Sequence, residues 1–126
     1  MVLDGEGLSK AATDRAVFVD LEQALRRRAR VVVSAAVLAE VIRGHRRDAA
    51  VNRIVAKVTV LPVTEATGRL AGQLLGKANL GRGHAVDAMV AATAVIAERP
   101  VLILTSDQTD LTTLVADTAG IAVTHV

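Results

Sequence analysis

VLILTSDQTDLTTL, residues 101 to 114, frames the reading of the whole chain. Val101 to Thr105 is an apolar, β-branched run of strand length, and Asp107 follows it, placed to cap a helix with Asp110 three residues further on. A buried strand that passes into a helix is the repeating unit of a helix-covered parallel sheet. The same unit recurs outward from this point. Strands are expected at Met1 to Asp4, Val31 to Ser34, Thr59 to Val63, Val101 to Thr105 and Ala122 to Val126. Between them, Val17, Leu21, Ala24 and Leu25, and again Ala66, Leu70, Ala71, Leu74 and Leu75, recur at helical spacing, so each stretch buries one face. Five strands and about six helices make an α/β domain, and 126 residues fit a single domain over residues 1 to 126.

Local signals refine this outline. Thr13 or Asp14 is placed to cap a helix running to Ala29, and Pro62 ends the third strand before a helix that opens at Thr64. Asn79 to Gly83, NLGRG, reads as a flexible loop leading to the helix that carries Asp87. The first strand has only Val2 and Leu3 before its acid, which is short for a strand central to a sheet.

Composition narrows the chemistry. The longest nearly apolar run, Ala88 to Ala97, is about half the length of a membrane-spanning helix, and MVLDGEG carries acids where a signal peptide carries basic and then apolar residues. A cytoplasmic protein with no membrane partner is expected. Without cysteine there is no disulfide framework and no thiolate ligand or nucleophile, so any metal is held by oxygen or imidazole donors. The formal charge is only +2, but twelve of the fifteen cations are Arg, clustered at Arg26, Arg27, Arg28 and Arg30 and at Arg43, Arg46, Arg47 and Arg53. Arg suits phosphate because its planar fork donates two hydrogen bonds at once, although such runs are commonly solvated helix faces. Phe18 is the only aromatic residue, so base-stacking platforms are missing and a bound nucleic acid would be held mainly through its backbone.

Four acids stand out by position. Asp4 and Asp107 lie just past the carboxyl ends of expected parallel strands, the edge at which open α/β sheets bind ligands. Glu40 and Asp87 lie in helices that are otherwise nearly apolar, VSAAVLAEVIRG and HAVDAMVAATAV. Glu40 sits at the margin of its core stripe, and Asp87 lines up with Ala91 and Ala94, small residues that let another element approach. Each has a plainer explanation: Asp4 as a helix cap, Asp107 with Asp110 as a capping pair, Glu40 and Asp87 as surface acids or partners of an Arg. Together, at two strand ends and on two helices, the four acids fit one common site better than four separate explanations.

Like charges about 4 Å apart repel by roughly 1 kcal/mol in water and about 4 kcal/mol at an effective dielectric of 20. A hard divalent ion, Mg²⁺ or in its place Mn²⁺, removes that conflict and supports phosphodiester hydrolysis by activating water and neutralising charge on phosphate oxygens. No HExxH, P-loop or GxSxG pattern offers another route. His45, His84 and His125 are dispersed and read as surface or structural residues, with a general-acid role for His84 as a minor option.

VLDGEGL at 2 to 8, LAEVIRG at 38 to 44, VDAMVAATAV at 86 to 95 and LTSDQTDLTTL at 104 to 114 resemble, in order, the PIN-domain family, and within it the VapC-like toxins of type II toxin-antitoxin pairs. The resemblance implies a three-layer α/β/α domain with a five-stranded parallel sheet of order 3-2-1-4-5. It also implies an Mg²⁺-dependent endoribonuclease cutting single-stranded or structured RNA, a homodimer and a cognate antitoxin. Position by position, Asp4, Glu40, Asp87 and Asp107 match the family's catalytic, metal-holding quartet, with Asp110 a further metal residue at its edge. Thr105 and Ser106 match the polar residues before the last acid, where the resemblance implies hydroxyls that orient that acid or a metal-bound water, or meet substrate, and Arg43 is placed to meet substrate phosphate or the acids. GEG after Asp4 departs from the usual small apolar segment, lowers helix propensity and adds Glu6, which either binds metal through water or, the favoured reading, faces solvent. The alternatives are a PIN nuclease of RNA processing or DNA flap cleavage, a non-catalytic PIN scaffold that binds a protein partner, and a receiver-like phosphoacceptor module. The last lacks its late Lys, since Lys77 is the final one.

Overall fold

In the computed structural model, which describes residues 1–126, five strands form one parallel sheet: β1 (Val2–Leu3), β2 (Val32–Ser34), β3 (Thr59–Leu61), β4 (Val101–Thr105) and β5 (Ile121–His125). Their order is β3-β2-β1-β4-β5, as expected. Seven α-helices connect them: α1 (Gly5–Thr13), α2 (Arg15–Arg26), α3 (Ala35–Val41), α4 (Asp48–Val55), α5 (Glu65–Ala78), α6 (Ala85–Ile96) and α7 (Gln108–Leu114). This three-layer α/β/α arrangement follows from right-handed crossovers. Stepping β1 to β2 to β3 puts α1, α2 and α4 on one face; the return to β4 and on to β5 puts α5, α6 and α7 on the other.

β1 is short, yet central. Val2 pairs with Val32 on one side and Ile103 on the other. The ladder continues past its ends, because Met1 O accepts from Val32 N at 2.9 Å and Asp4 N donates to Leu104 O at 3.3 Å. Burial of Val2 and Leu3 on both faces compensates for the small number of bonds. Other boundaries shift by a residue or two from the sequence expectation. β3 stops at Leu61 rather than Val63 because Pro62 has no N–H for the ladder.

The number of helices exceeds the expected six because capping residues cut long periodic stretches. Asp14 ends α1 by donating its N–H to Lys10 O and begins α2 by accepting from Ala16 N and Val17 N. Asp14, not Thr13, is therefore the cap, and α2 ends at Arg26 rather than Ala29, with Arg28 left-handed at φ 59°. The expected loop 79–83 is partly ordered: Asn79, left-handed at φ 55°, closes α5, and a 3₁₀ turn at Arg82–His84 leads into α6. α6 is the most buried helix. Ala88, Val90, Ala91, Ala92 and Ala94 are all 0% exposed, and this run of small side chains seats α6 against β1, β2 and α5. No helix is long and apolar enough to cross a membrane.

Candidate metal centre

Asp4 follows β1 and caps α1, its Oδ1 accepting from Gly7 N at 2.7 Å. GEG is helical here despite its glycines, and geometry gives the reason for one of them. A Cβ at Gly7 would stand 2.5 Å from the Leu104 carbonyl oxygen, so only glycine lets α1 pass this close to β4. The close approach brings Asp4 beside the end of β4. There Asp107 caps α7 by accepting from Thr109 N at 3.1 Å.

α3 touches both α1 and α6 and so lies along the carboxyl edge of the sheet between the two helical layers. It starts at Ser34, whose hydroxyl caps it, and brings Glu40 and Val41 to that edge. Asp87 arrives from the first turn of α6. Asp4, Gly5, Glu6, Ser9, Glu40, Val41, Asp87, Ser106 and Asp107 line one cleft of about 370 Å³, of which Val41 is the only apolar member. A groove of about 390 Å³ beside α1, α2 and α4 holds one acid, Asp14, which is occupied in capping.

Three carboxylates of the cleft, Asp4, Glu40 and Asp87, are destabilised as anions. Burial raises the pKa of Asp4, against the lowering effect of the Thr105 hydroxyl and the Gly7 N–H, and the charges of Asp87 and Glu6 raise it further. Glu40 is raised by burial and then by Asp87, Asp4 and Glu6, with Arg43 opposing. Asp87 is raised by burial and by Asp110, with His84 opposing through a hydrogen bond and its charge, and Asp107 adding to the rise. Three oxygen donors made more basic by burial and then by neighbouring carboxylates are what a hard divalent cation fits.

His84 and Asp110 extend the site at the Asp87 end. His84 Nδ1 lies 3.1 Å from Asp110 Oδ2 and 3.7 Å from Asp87 Oδ2, and the ligand atoms of the three residues all lie within 4.8 Å of one another. Asp110 therefore does not complete a capping box with Asp107. The Asp107 N–H is taken instead by Thr105 Oγ1 at 3.0 Å. His84 stands three residues before Asp87 at the helix start, a spacing that puts both on one side, and this was the signal that could have singled it out.

The remaining placements agree with the sequence expectation in part and correct it in part. Thr105 is 0% exposed, so its hydroxyl meets no substrate; it holds the last acid, the other role the resemblance implies for it. It accepts from Asp107 N and has the Asp107 carbonyl and the Asp4 carboxylate as acceptors, the charged one being the stronger. Ser106, by contrast, is on the cleft wall. Arg43 does not point its guanidinium at the acids: it donates to the carbonyls of Ala39, Glu40 and Ile42 at 2.8, 2.8 and 2.9 Å and so closes the end of α3. Glu6 is exposed as expected, yet it lines the cleft and its charge is felt by Asp4 and Glu40.

The model of the PIN domain matches residues 1–111, and the chain belongs to the PIN-domain family. Among solved structures, a chain of VapBC2 from Rickettsia felis bound to a DNA fragment from its promoter aligns at TM-score 0.72 and 14% identity, covering 99% of this chain and 97% of that one. A chain of FitAB bound to the IR36 DNA fragment aligns at 0.69 and 19%, covering 98% and 93%. One of DNA-bound VapBC from Salmonella typhimurium aligns at 0.64 and 18%, covering 98% and 96%. No curated protein sequence matches the chain significantly.

Proposed function

We propose that this protein is a divalent-metal-dependent endoribonuclease and the toxin of a toxin-antitoxin pair. One observation carries the nuclease reading: Asp4, Glu40, Asp87 and Asp107 line a single cleft at the carboxyl edge of the sheet, with three of them pushed toward protonation. PIN domains are nucleases, and the likeness to VapBC and FitAB chains supports the toxin assignment and a cognate antitoxin.

Asp4, Glu40, Asp87 and Asp107, with Asp110 at the edge, would hold Mg²⁺ or Mn²⁺. The ion supplies activation of water and neutralisation of phosphate charge. The chain's own residues do the rest. Thr105 fixes Asp107 through its N–H and holds Asp4 through its hydroxyl. The Gly7 N–H anchors the other side of Asp4. Ser106 and Ser9 offer hydroxyls on the cleft wall to a phosphate oxygen or water. His84 holds Asp87 and Asp110 in register.

Purified protein is expected to cut single-stranded RNA with Mg²⁺ or Mn²⁺ and to stop with EDTA; an equal rate in EDTA rules out the mechanism. Expression of the chain alone is expected to arrest growth, relieved by co-expression of the adjacent frame. Harmless overexpression in the native host removes the toxin role and leaves the nuclease one. A homodimer belongs to the same reading, and the solution mass of the purified chain checks it.

A further inference from the structure

Past Val41 the chain leaves the cleft wall and runs through five exposed residues, Arg43 to Arg47, before α4 begins at Asp48. The loop is held from within. Asp48 is buried, at 7% exposure, and its Oδ2 accepts from the backbone N–H groups of Arg43, Gly44 and His45 at 3.0, 2.7 and 3.1 Å. Burial opposes ionisation of this carboxyl, but those three N–H groups and His45 outweigh it and hold its pKa below the usual range. The Arg43 guanidinium ties the loop's other side to the α3 carbonyls. Gly44, left-handed at φ 79°, makes the turn.

What this arrangement presents is two free cations. The carboxylates within 4.0 Å of a basic side chain are Glu22 beside Lys57, Glu65 beside Arg69, and Asp87 and Asp110 beside His84, so Arg46 and Arg47 have none. Chain reach of about 3.5 Å per residue keeps Arg46 within roughly 18 Å of Val41. An acidic cleft repels a phosphodiester strand, and unpaired cations on the loop that leaves its wall after Val41 offset part of that repulsion. The other cluster, Arg26, Arg27, Arg28 and Arg30, precedes β2 and therefore lies at the amino edge of the sheet, away from the cleft.

We propose that the Arg43–Arg47 loop is a preformed phosphate-contact arm, in which Arg46 and Arg47 meet the backbone of a single-stranded RNA entering the acidic cleft and Asp48 is the positioning residue. The identity of the ligand rests on the ribonuclease reading; the arm's role is tested by binding, apart from cleavage.

The probe is a fluorescein-labelled single-stranded RNA oligonucleotide, titrated with the Asp87→Asn protein over a range of salt. On that background Arg46→Gln/Arg47→Gln is expected to weaken binding by about 10-fold at low salt. It should also flatten the log Kd against log salt slope by about 1.4, two contacts at about 0.7 each. Arg26→Gln/Arg27→Gln, an equal change of charge, is expected to leave both unchanged. Equal losses in the two pairs, an unaltered slope, or no binding by the Asp87→Asn parent overturns the arm. Asp48→Ala is expected to weaken binding only while Arg46 and Arg47 are present; an equal loss without them removes its positioning role. If Asp48→Ala does not fold, Asp48→Asn replaces it in the same cycle. Cleavage by the unsubstituted protein with unaffected Arg variants overturns the arm and leaves the ribonuclease reading standing.

Discussion

Asp4 serves two ends that pull against each other. Its Oδ1 caps α1, while its charge faces Asp87 and Glu6 in a partly desolvated cleft. Asp4→Asn keeps an oxygen to cap the helix and removes the charge. RNA cleavage by Asp4→Asn or Asp87→Asn is expected to fall at least about 100-fold, the usual effect of losing one preorganised electrostatic partner. Retained cleavage removes that residue from the site. Stability in EDTA should move the other way. The folded-state pKa values of Asp4, Glu40 and Asp87 lie above their unfolded values, so the folded state binds more protons and its stability falls as pH rises through that window. Metal-free protein is therefore expected to melt at a higher temperature in mildly acidic buffer than at pH 8, and Asp4→Asn or Asp87→Asn should narrow the difference. Asp48 has the opposite sign: its contribution is present above the unfolded carboxyl range and is lost as pH falls through its depressed folded value. A melting curve that rises steadily from pH 5 to pH 8 in EDTA contradicts the assigned repulsion.

Two glycines at the start of α1 separate fold from site. A Cβ at Gly7 meets the backbone oxygen of Leu104, which cannot yield without moving β4. Gly7→Ala is expected to cost about 1–3 kcal/mol by overpacking, read from chemical denaturation. A Cβ at Gly5 meets Glu40 Oε1 at 2.9 Å, the free end of a flexible side chain. Gly5→Ala should therefore leave stability within about 0.5 kcal/mol, as a surface substitution does, while displacing Glu40 and lowering cleavage. Equal destabilisation by the two substitutions contradicts the assigned difference. Glycine was readable in GEG only as a loss of helix propensity. The reason for Gly7 is a contact with a residue nearly a hundred positions away, and no local pattern encodes it.

At the scale of the molecule, the cleft gathers acids from α1, α3 and α6 and from the ends of β1 and β4, so a cation bound there ties both helical layers to the sheet. Mg²⁺ or Mn²⁺ at 100 times its Kd is expected to stabilise the protein by about 2.7 kcal/mol. For a domain of this size that is roughly a 10 °C rise in Tm. The rise should be larger at pH 8 than at pH 5, because protons compete for the same carboxylates, and Asp87→Asn should reduce it. A Tm that metal leaves unmoved in the native protein rules the cleft out as a cation site.

The alternation of strands and helices was legible because apolar runs and helical spacing are local properties of the chain, and β4 has the bounds read for it. The order of the sheet was legible only through the family resemblance of four short segments. The acids were legible as well: Glu40 and Asp87 interrupt apolar helices, and Asp4 and Asp107 end strands, so backbone placement alone carries them to one edge. The partners of those acids were decided by the tertiary structure. Arg43 and Arg46 look alike in sequence, but α3 ends where its carbonyls claim Arg43 and leave Arg46 free. His84 looked dispersed until α7 brought Asp110 beside it, and Asp48 looked like an ordinary first-turn acid until its carboxylate met three backbone N–H groups. A residue's type and spacing determine where its backbone goes. Which of its hydrogen bonds remain available for chemistry depends on the groups that distant segments bring against it.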